Sequence, residues 1–201
     1  ECGLTDSANV TVTIIDIPDS TGLTMSIVNN VVCIGLEDVT IDITGANLLP
    51  DGDYSIVYQL TDANNSVNTV AITIVGGNAT FIIPQSLLPN SGLTSVTLTQ
   101  LFVLGQSCSA ITDAIEPVTI AIENLSTPEI ISSGDEFCSE DNPTLVDLSN
   151  NIIDDEIVIW YDQPIGGIAY DSTETLQEGV IYYGALTSEY GCESTTRLEV
   201  S

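Results

Sequence analysis

The fold is decided by residues 70–83, where Val70-Ala71-Ile72-Thr73-Ile74 leads through Val75-Gly76-Gly77-Asn78 into Ala79-Thr80-Phe81-Ile82-Ile83. Both flanks alternate apolar and polar side chains, which is the period of a strand with one buried face. The Gly-Gly-Asn between them can adopt the positive φ angles of a two-residue turn. The stretch therefore predicts two strands joined by a tight turn.

The same alternation recurs on both sides of this stretch. It is found at residues 39–43, 54–58 and 95–98, and the runs are bounded by Gly, Asn, Asp and Pro. Residues 84–88 are the one helix-like piece and suffice for a single turn. Strands spaced about ten residues apart without intervening helices are typical of sandwiches. We therefore predict an all-β chain of tandem Ig-like β-sandwich modules joined end to end.

The charge of the chain excludes several classes of function. Its 201 residues include 29 acids, a single cation, Arg197, and no His, which gives a formal net charge of −28. Such a chain is repelled by nucleic-acid phosphates and by anionic lipid, so neither is an expected partner. Without His or Lys it also lacks the usual general bases near neutrality. We therefore predict that the chain is not an enzyme.

A coarse repeat of cysteine and strand divides the chain. Three cysteines each precede the alternating strand that ends a repeat, and we call them the late cysteines of their modules. Two other cysteines come near the start of the following module, and we call them the early cysteines. The late cysteines are Cys2, Cys108 and Cys192, and the early cysteines are Cys33 and Cys138. The repeat predicts the C-terminal strand of a preceding module at 1–18 and two Ig-like β-sandwich modules at 19–122 and 123–201. Proline in both linkers, at Pro18 and Pro128, favours a semi-rigid stack.

The cysteine order predicts a disulfide inside each module. Cys33 is expected to pair with Cys108 and Cys138 with Cys192, while Cys2 is unpaired because its partner would lie before Glu1. Disulfides form in oxidising, extracytoplasmic compartments. Zinc is not expected, because the chain has no C-x-x-C pair and no His.

Trp160 is the single tryptophan and occupies an alternating strand at residues 157–161. Its position predicts the core aromatic of a small sandwich. The alternative is a surface ring that stacks on a ligand.

Acidic residues gather near the two expected linkers. Asp16 and Asp19 flank Pro18, and a second group follows the other boundary. This second group consists of Glu123, Glu129, Asp135 and Glu136. Ca²⁺ takes six to eight oxygen ligands, so these carboxylates predict a candidate calcium site at a module junction. The alternative is that they are solvated turn carboxylates, and no motif requires any other cofactor.

Residues 129–200 carry a series of motifs that resembles a known family. The motifs in chain order are Phe137-Cys138-Ser139, Asn142-Pro143-Thr144, Trp160-Tyr161, Gly166-Gly167, Gly179, Tyr182-Tyr183 and Gly191-Cys192-Glu193-Ser194. The series resembles the gliding-associated Ig-like repeat module of giant Bacteroidota surface adhesins, the SprB-like gliding-motility adhesins. The resemblance implies export by type IX secretion and an extracellular place on the bacterial cell surface, attached to the outer membrane. It also implies that the parent protein interacts with the cell-surface motility or secretion machinery.

Three Asp-Ser-[Ala/Thr] triplets fit the short O-glycosylation signal used by Bacteroidota. They would place glycans on Ser7, Ser20 and Ser172. The alternative is a chance match, because Ser and Thr are abundant in this chain.

These observations predict a structural stalk segment of a long extracellular adhesin that acts in surface adhesion and gliding motility. The expected partners are neighbouring modules of the same chain and surface polysaccharide. No apolar run approaches the ~18 residues of a bilayer span, so direct membrane insertion is not expected. Two alternatives stay open: a calcium-dependent carbohydrate-binding module of a secreted polysaccharide-degrading protein, and an S-layer or sheath subunit. A carbohydrate-binding module would need exposed, coplanar aromatic rings.

Overall fold

The computed structural model describes residues 12, 14–153 and 156–201. Within these residues the chain forms eleven strands and one short α-helix, α1 (Leu145–Ser149), between the eighth and ninth strands. The strands are β1 (Thr24–Ile27), β2 (Val31–Cys33), β3 (Val39–Thr44), β4 (Gly52–Asp62), β5 (Ser66–Ile74), β6 (Ala79–Ile83), β7 (Gly92–Val103), β8 (Val118–Glu123), β9 (Ile157–Tyr161), β10 (Tyr182–Thr187) and β11 (Leu198–Val200). The predicted all-β fold is confirmed.

Strands β1 to β8 form two sheets, which we call the first unit (residues 23–123). One sheet has the order β1-β3-β6 and the other the order β2-β8-β7-β4-β5. Alternate residues of β3 are buried, as its sequence predicts. The two sheets share one apolar core, in which the rings of Tyr58 and Phe81 lie 5.1 Å apart. The first unit is therefore sandwich-like.

The turn at Gly76-Gly77 forms, but the strands it joins do not stay together. Val75 and Asn78 exchange two backbone hydrogen bonds, and both glycines have positive φ. Beyond that bridge β5 continues in the five-stranded sheet and β6 in the three-stranded sheet. The Gly77 carbonyl accepts the Ala46 N–H at 3.0 Å, so a neighbouring loop holds the turn at the sandwich edge. The chain therefore passes from the five-stranded sheet to the three-stranded sheet at this turn.

The chain also changes sheets between β1 and β2. Strand β1 pairs with β3 in antiparallel fashion, whereas β2 pairs with β8 in parallel. In this parallel pair Cys33 lies opposite Glu123, the last residue of β8. Cys33 therefore lies at the end of the sandwich where the first unit ends.

The second unit (residues 125–200) is smaller. Its sheet has the order β11-β10-β9, and α1 packs Leu145 and Leu148 into a separate core with Trp160. Asp147 Oδ2 accepts both the backbone N–H and the hydroxyl of Thr144, at 2.7 and 2.8 Å, which fixes the start of α1. These hydrogen bonds lower the pKa of Asp147. The predicted modules each contain one of the two cores, and their boundaries stay predictions.

Candidate functional site at the junction of the two units

A disulfide between Cys33 and Cys192 joins the two units. The two Cα atoms lie 5.3 Å apart, and 159 residues of sequence separate them. Cys33 ends β2 in the first unit, and Cys192 lies in the turn between β10 and β11 in the second unit. The site is therefore a covalent bridge across the junction, which we call the junction disulfide.

Backbone pairing positions Cys33. Its strand β2 lies beside β8, and the Ile34 N–H donates to the Glu123 carbonyl at 2.9 Å. The next turn closes when the Leu36 N–H donates to the Cys33 carbonyl at 3.3 Å. The thiol position is thus tied to the last residue of the first unit.

A tight turn positions Cys192. The Ser188 N–H donates to the Cys192 carbonyl at 2.9 Å, and the Gly191 N–H donates to the Ser188 carbonyl at 3.0 Å. Gly191 has a φ of +82°, a conformation that L side chains rarely adopt. Cys192 itself is buried. The turn holds its sulfur toward the first unit.

The surroundings of the junction disulfide are acidic. The nearby carboxylate of Glu189 raises the pKa of Tyr190, and Glu123 of the first unit adds to this effect across the junction. One carboxylate oxygen of Glu123, Oε2, is buried and has no hydrogen-bond partner among the described residues. The units therefore approach closely enough here for side chains of one to influence the other.

The predicted pairing of Cys33 with Cys108 is wrong because the two residues lie at opposite ends of the first unit. Cys33 lies near Ile122, which is paired with Gly92 at one end of β7, whereas Cys108 adjoins Ser109, which bridges to Phe102 near the other end. The ten residue steps of strand from Gly92 to Phe102 span about 33 Å, so Cys33 and Cys108 lie at positions separated by roughly this length. A disulfide requires Cα atoms within about 7 Å.

The predicted pairing of Cys138 with Cys192 fails for the same reason. Phe137 and Ser139, the neighbours of Cys138, line a cleft with Tyr182, at one end of β10. Cys192 lies at the other end of β10, which is about 17 Å away for five residues of strand. In the structure Cys108 and Cys138 are free thiols. Cys2 lies outside the described residues.

The acids of the first expected linker line an open cleft but do not converge. Asp16 and Asp19 share this cleft with Asp51 and Asp53. Asp19 Oδ1 accepts the Thr21 N–H at 3.0 Å, and hydrogen bonds from Thr21 lower its pKa. The other two carboxylates have hydrogen-bond partners as well. Asp51 accepts the N–H of Gly76, in the turn after β5, and Asp53 accepts the hydroxyl of Thr73 in β5.

The acids expected together at the second linker are separated. Glu123 lies at the junction disulfide, whereas Asp135 and Glu136 line the cleft at the far end of the second unit. The Glu129 carbonyl accepts the Ile153 N–H at 2.8 Å inside the second unit. Across the described residues no three His, Cys, Asp or Glu side chains are grouped to hold a metal ion. The predicted joint calcium site of these four acids is therefore not assembled.

The Asp-Ser-Thr triplets form similar turns. Asp171 Oδ1 accepts the N–H of Thr173, as Asp19 does from Thr21. Ser172 is exposed, so its hydroxyl is open to modification. The Ser20 hydroxyl instead donates to the Ile111 carbonyl at 2.6 Å. Ser7 lies outside the described residues.

Trp160 lies in the core of the second unit and is 3% exposed. Its indole N–H donates to the Ser149 hydroxyl of α1 at 2.9 Å. The ring covers Gly184 of the neighbouring strand β10, where a Cβ would lie 2.8 Å from the Trp160 ring. Position 184 must therefore lack a side chain.

We expect Gly184→Ala to lower the free energy of unfolding of the second unit by about 1–3 kcal/mol, because the added methyl overlaps the Trp160 ring. Urea denaturation followed by circular dichroism measures the loss, because this signal can also be followed in a control that lacks Trp160. The matched control is the same substitution in a Trp160→Leu background, where the cost should shrink because the ring is absent. An equal cost in both backgrounds would contradict the overlap.

Sequence reasoning missed a cluster around Arg197 that braces the cysteine turn. The guanidinium lies 3.4 Å above the Tyr161 ring centroid and 2.9 Å from Glu193 Oε1. It also donates to the carbonyls of Gln163 and Gly166, both at 2.7 Å. Because Glu193 follows Cys192, the cluster ties the turn to strand β9 and its following loop. The signal was present, since this is the single cation of the chain.

We expect Arg197→Met to destabilise the second unit by about 2–3 kcal/mol, since it removes the charge-assisted hydrogen bonds that the largely covered guanidinium makes. Thermal unfolding by circular dichroism measures the loss. A protease assay gives a matched control, because Arg197 is the single trypsin site. The folded chain should resist trypsin. Arg197→Lys keeps a trypsin site but loses the planar guanidinium and its paired hydrogen bonds, so this variant should be cut faster. Rapid cleavage of the unmodified folded chain would contradict the cluster.

No family model and no curated protein matches this chain. Among solved structures it is similar to one titled "Crystal Structure of the Periplasmic Chaperone SfaE", with 12% sequence identity and a TM-score of 0.27. The match covers 86% of this chain and 98% of that chain. A similarity at this level carries no argument about function. Among the described residues no helix is long and apolar enough to cross a membrane.

Proposed function

We propose that this chain is a stalk segment of an extracellular surface adhesin, built of Ig-like sandwiches stacked end to end. The observation that carries the proposal is the junction disulfide, Cys33–Cys192, which joins consecutive units covalently. The bond keeps the two units joined when the chain is pulled from its ends. A stalk under tension gains from this bond directly.

Strand order supports the Ig-like assignment of the first unit. The order β8-β7-β4-β5 corresponds to strands G, F, C and C′ of an Ig variable-type sheet, and β3-β6 corresponds to strands B and E of the opposite sheet. The second unit has three strands in one sheet and a helix over its core. Its Ig-like assignment rests on the resemblance of its motifs.

The junction disulfide changes the path that a pulling force takes. Force applied to the two ends passes from Cys33 directly to Cys192 through the sulfur atoms. Residues 34–191 then lie in a closed loop outside that path, so the part of each core that these residues form is shielded from the load, while β1, β2 and β11 remain in the path of the force. A non-covalent junction offers no such protection.

Exposed side chains favour a stalk over a carbohydrate-binding module. All eleven aromatic residues lie within the described residues, and Tyr190 alone is exposed. One ring cannot form the coplanar platform on which sugars stack. The net charge of −28 keeps neighbouring copies apart and soluble.

The cellular setting follows from the resemblance and from the chemistry of the bridge. A disulfide fits an oxidising, extracytoplasmic compartment. We therefore place the parent protein on the bacterial cell surface, exported by type IX secretion and acting in adhesion and gliding motility. Its partners would be neighbouring modules, surface polysaccharide and the motility or secretion machinery.

Two measurements on the oxidised chain test the proposed function. Single-molecule pulling should show the shielded loop, and a glycan array with calcium should show no binding by these units. Glycan binding that disappears with chelator, together with full extension under force, would replace the stalk with the calcium-dependent carbohydrate-binding module.

A further inference from the structure

The free Cys108 occupies the same local structure as the bonded Cys192. Each follows the central strand of its sheet, and the residue two positions later donates its N–H back to that strand. The hydrogen bonds are Ala110 to Leu101 at 2.8 Å and Ser194 to Leu186 at 2.9 Å. In both places the residue directly after the cysteine bridges to the same preceding strand. The two turns are equivalent parts of the two units.

The free Cys138 lies at the end of its unit that corresponds to the position of Cys33. Cys33 lies opposite Glu123, the residue that ends β8. The two neighbours of Cys138 line a cleft together with Val200, the residue that ends β11. Each early cysteine thus lies where the last strand of its own unit finishes.

The two free thiols lie at opposite ends of the pair of units. Cys108 belongs to the loop after β7, and Val103 and Gln106 of that segment line a cleft with residues 14–19, which lead into the first unit. Cys138 is exposed at the end of the second unit away from the junction disulfide. Cys108 therefore lies in the segment next to the residues that lead into the first unit, and Cys138 lies at the opposite end of the pair of units.

We propose that the junction disulfide is one link of a repeating series, in which the early cysteine of each module bonds to the late cysteine of the next. In this series Cys108 bonds the early cysteine of a preceding module, and Cys138 bonds the late cysteine of a following module. The inference rests on the proposed function, because it requires further modules of this type. By its place in the sequence repeat, Cys2 is the late cysteine of the preceding module.

Each link forms by oxidation of two thiols. The two sulfur atoms lose two protons and two electrons, and a disulfide oxidant takes these up and becomes two thiols. Because Cys138 precedes Cys192, successive loops overlap along the chain. Every junction in the array would then be crossed by a sulfur–sulfur bond, and the odd number of cysteines in this chain is accounted for.

A head-to-tail tandem tests the series, with Ser201 of one complete chain joined to Ile17 of a second copy. Cys2→Ser and Cys108→Ser in the first copy, with Cys138→Ser in the second, leave one candidate pair at the new junction. After oxidation with glutathione disulfide, we expect peptide mapping to show Cys138 of the first copy linked to Cys108 of the second. Maleimide should then find no free thiol.

The matched control moves one thiol by a single residue, with Cys138→Ser and Ser139→Cys in the first copy. We expect most of the linked fraction to be lost, because a disulfide requires closely placed Cβ atoms that point toward each other. Equal linking by the control would overturn the proposal, because any flexible thiol would then suffice.

If Cys33 bonds Cys192 in both copies while the new junction stays reduced, the series is wrong and the stalk stands. If Cys33 does not bond Cys192, the proposed function loses its main support.

Discussion

Pulled by its two ends, the oxidised chain is expected to extend about 570 Å less than the reduced chain. The closed loop removes 159 residues of sequence separation from the path of the force. An extended residue contributes at most ~3.6 Å, which gives this hidden length. The effect is large because the bond joins the two units rather than two strands of one unit.

Single-molecule force spectroscopy measures this length directly. The Cys33→Ser/Cys192→Ser variant should extend fully under oxidising conditions, whereas the matched variant Cys108→Ser/Cys138→Ser should keep the short extension. The pairing predicted from sequence order would instead hide about 460 Å, at ~3.6 Å per residue, and the Cys108→Ser/Cys138→Ser variant would then extend fully as well, because it removes one cysteine of each predicted bond. Equal extension of the oxidised and reduced chains would contradict a disulfide that carries the force between the two units.

Trp160→Ala is expected to lower the free energy of unfolding of the second unit by about 3–5 kcal/mol. The ring fills the space between α1 and strand β10, and its removal leaves a cavity over Gly184. It also leaves the Ser149 hydroxyl without its indole partner. A small domain has about 5–15 kcal/mol of stability in total, so much of that stability would be lost.

Urea denaturation followed by circular dichroism measures this change, since the variant has no tryptophan. Trp160→Phe keeps most of the ring and serves as the matched control, with a smaller expected loss. In the unmodified chain, Trp160 emission should be at short wavelength and protected from iodide. Emission at long wavelength with ready quenching would place the ring at the surface and restore the ligand-stacking alternative.

Local structure could be predicted from sequence because it depends on neighbours in the chain. Alternation in β3 and β6 identified strands and their buried faces, and Gly76-Gly77 identified a turn. Which sheet each strand joins depends on distant partners. The crossing of the chain at Gly76-Gly77 is set by the 46–51 loop, and no local signal in residues 70–83 reveals that contact.

The cysteine pairing could not be predicted because it depends on which end of a sheet each residue occupies. Order along the chain suggested bonds within modules. The parallel pairing of β2 with β8 instead carries Cys33 to the end of the first unit, away from Cys108. The repeat itself was informative, since it separated early from late cysteines, but it could not show that the bond passes to the next module.

The acidic residues show the same limit. Asp135 and Glu136 follow Glu123 in sequence within the same expected linker region, but they line a cleft at the far end of the second unit, whereas Glu123 lies opposite Cys33. The Arg197 cluster shows the reverse case, because strand β9 and the cysteine turn bring Tyr161 and Glu193 together although 32 residues separate them. Proximity in sequence was therefore a poor guide to charge clusters in this protein.

Non-reducing peptide mapping shows which cysteines of the folded chain are bonded to each other. The oxidised chain is digested with pepsin at low pH, which prevents thiol exchange, and the linked peptides are identified by mass spectrometry. We predict one peptide pair that joins Cys33 to Cys192, with free thiols at Cys108 and Cys138. Peptide pairs that join Cys33 to Cys108 and Cys138 to Cys192 would contradict it, because the two units would then have no covalent bridge.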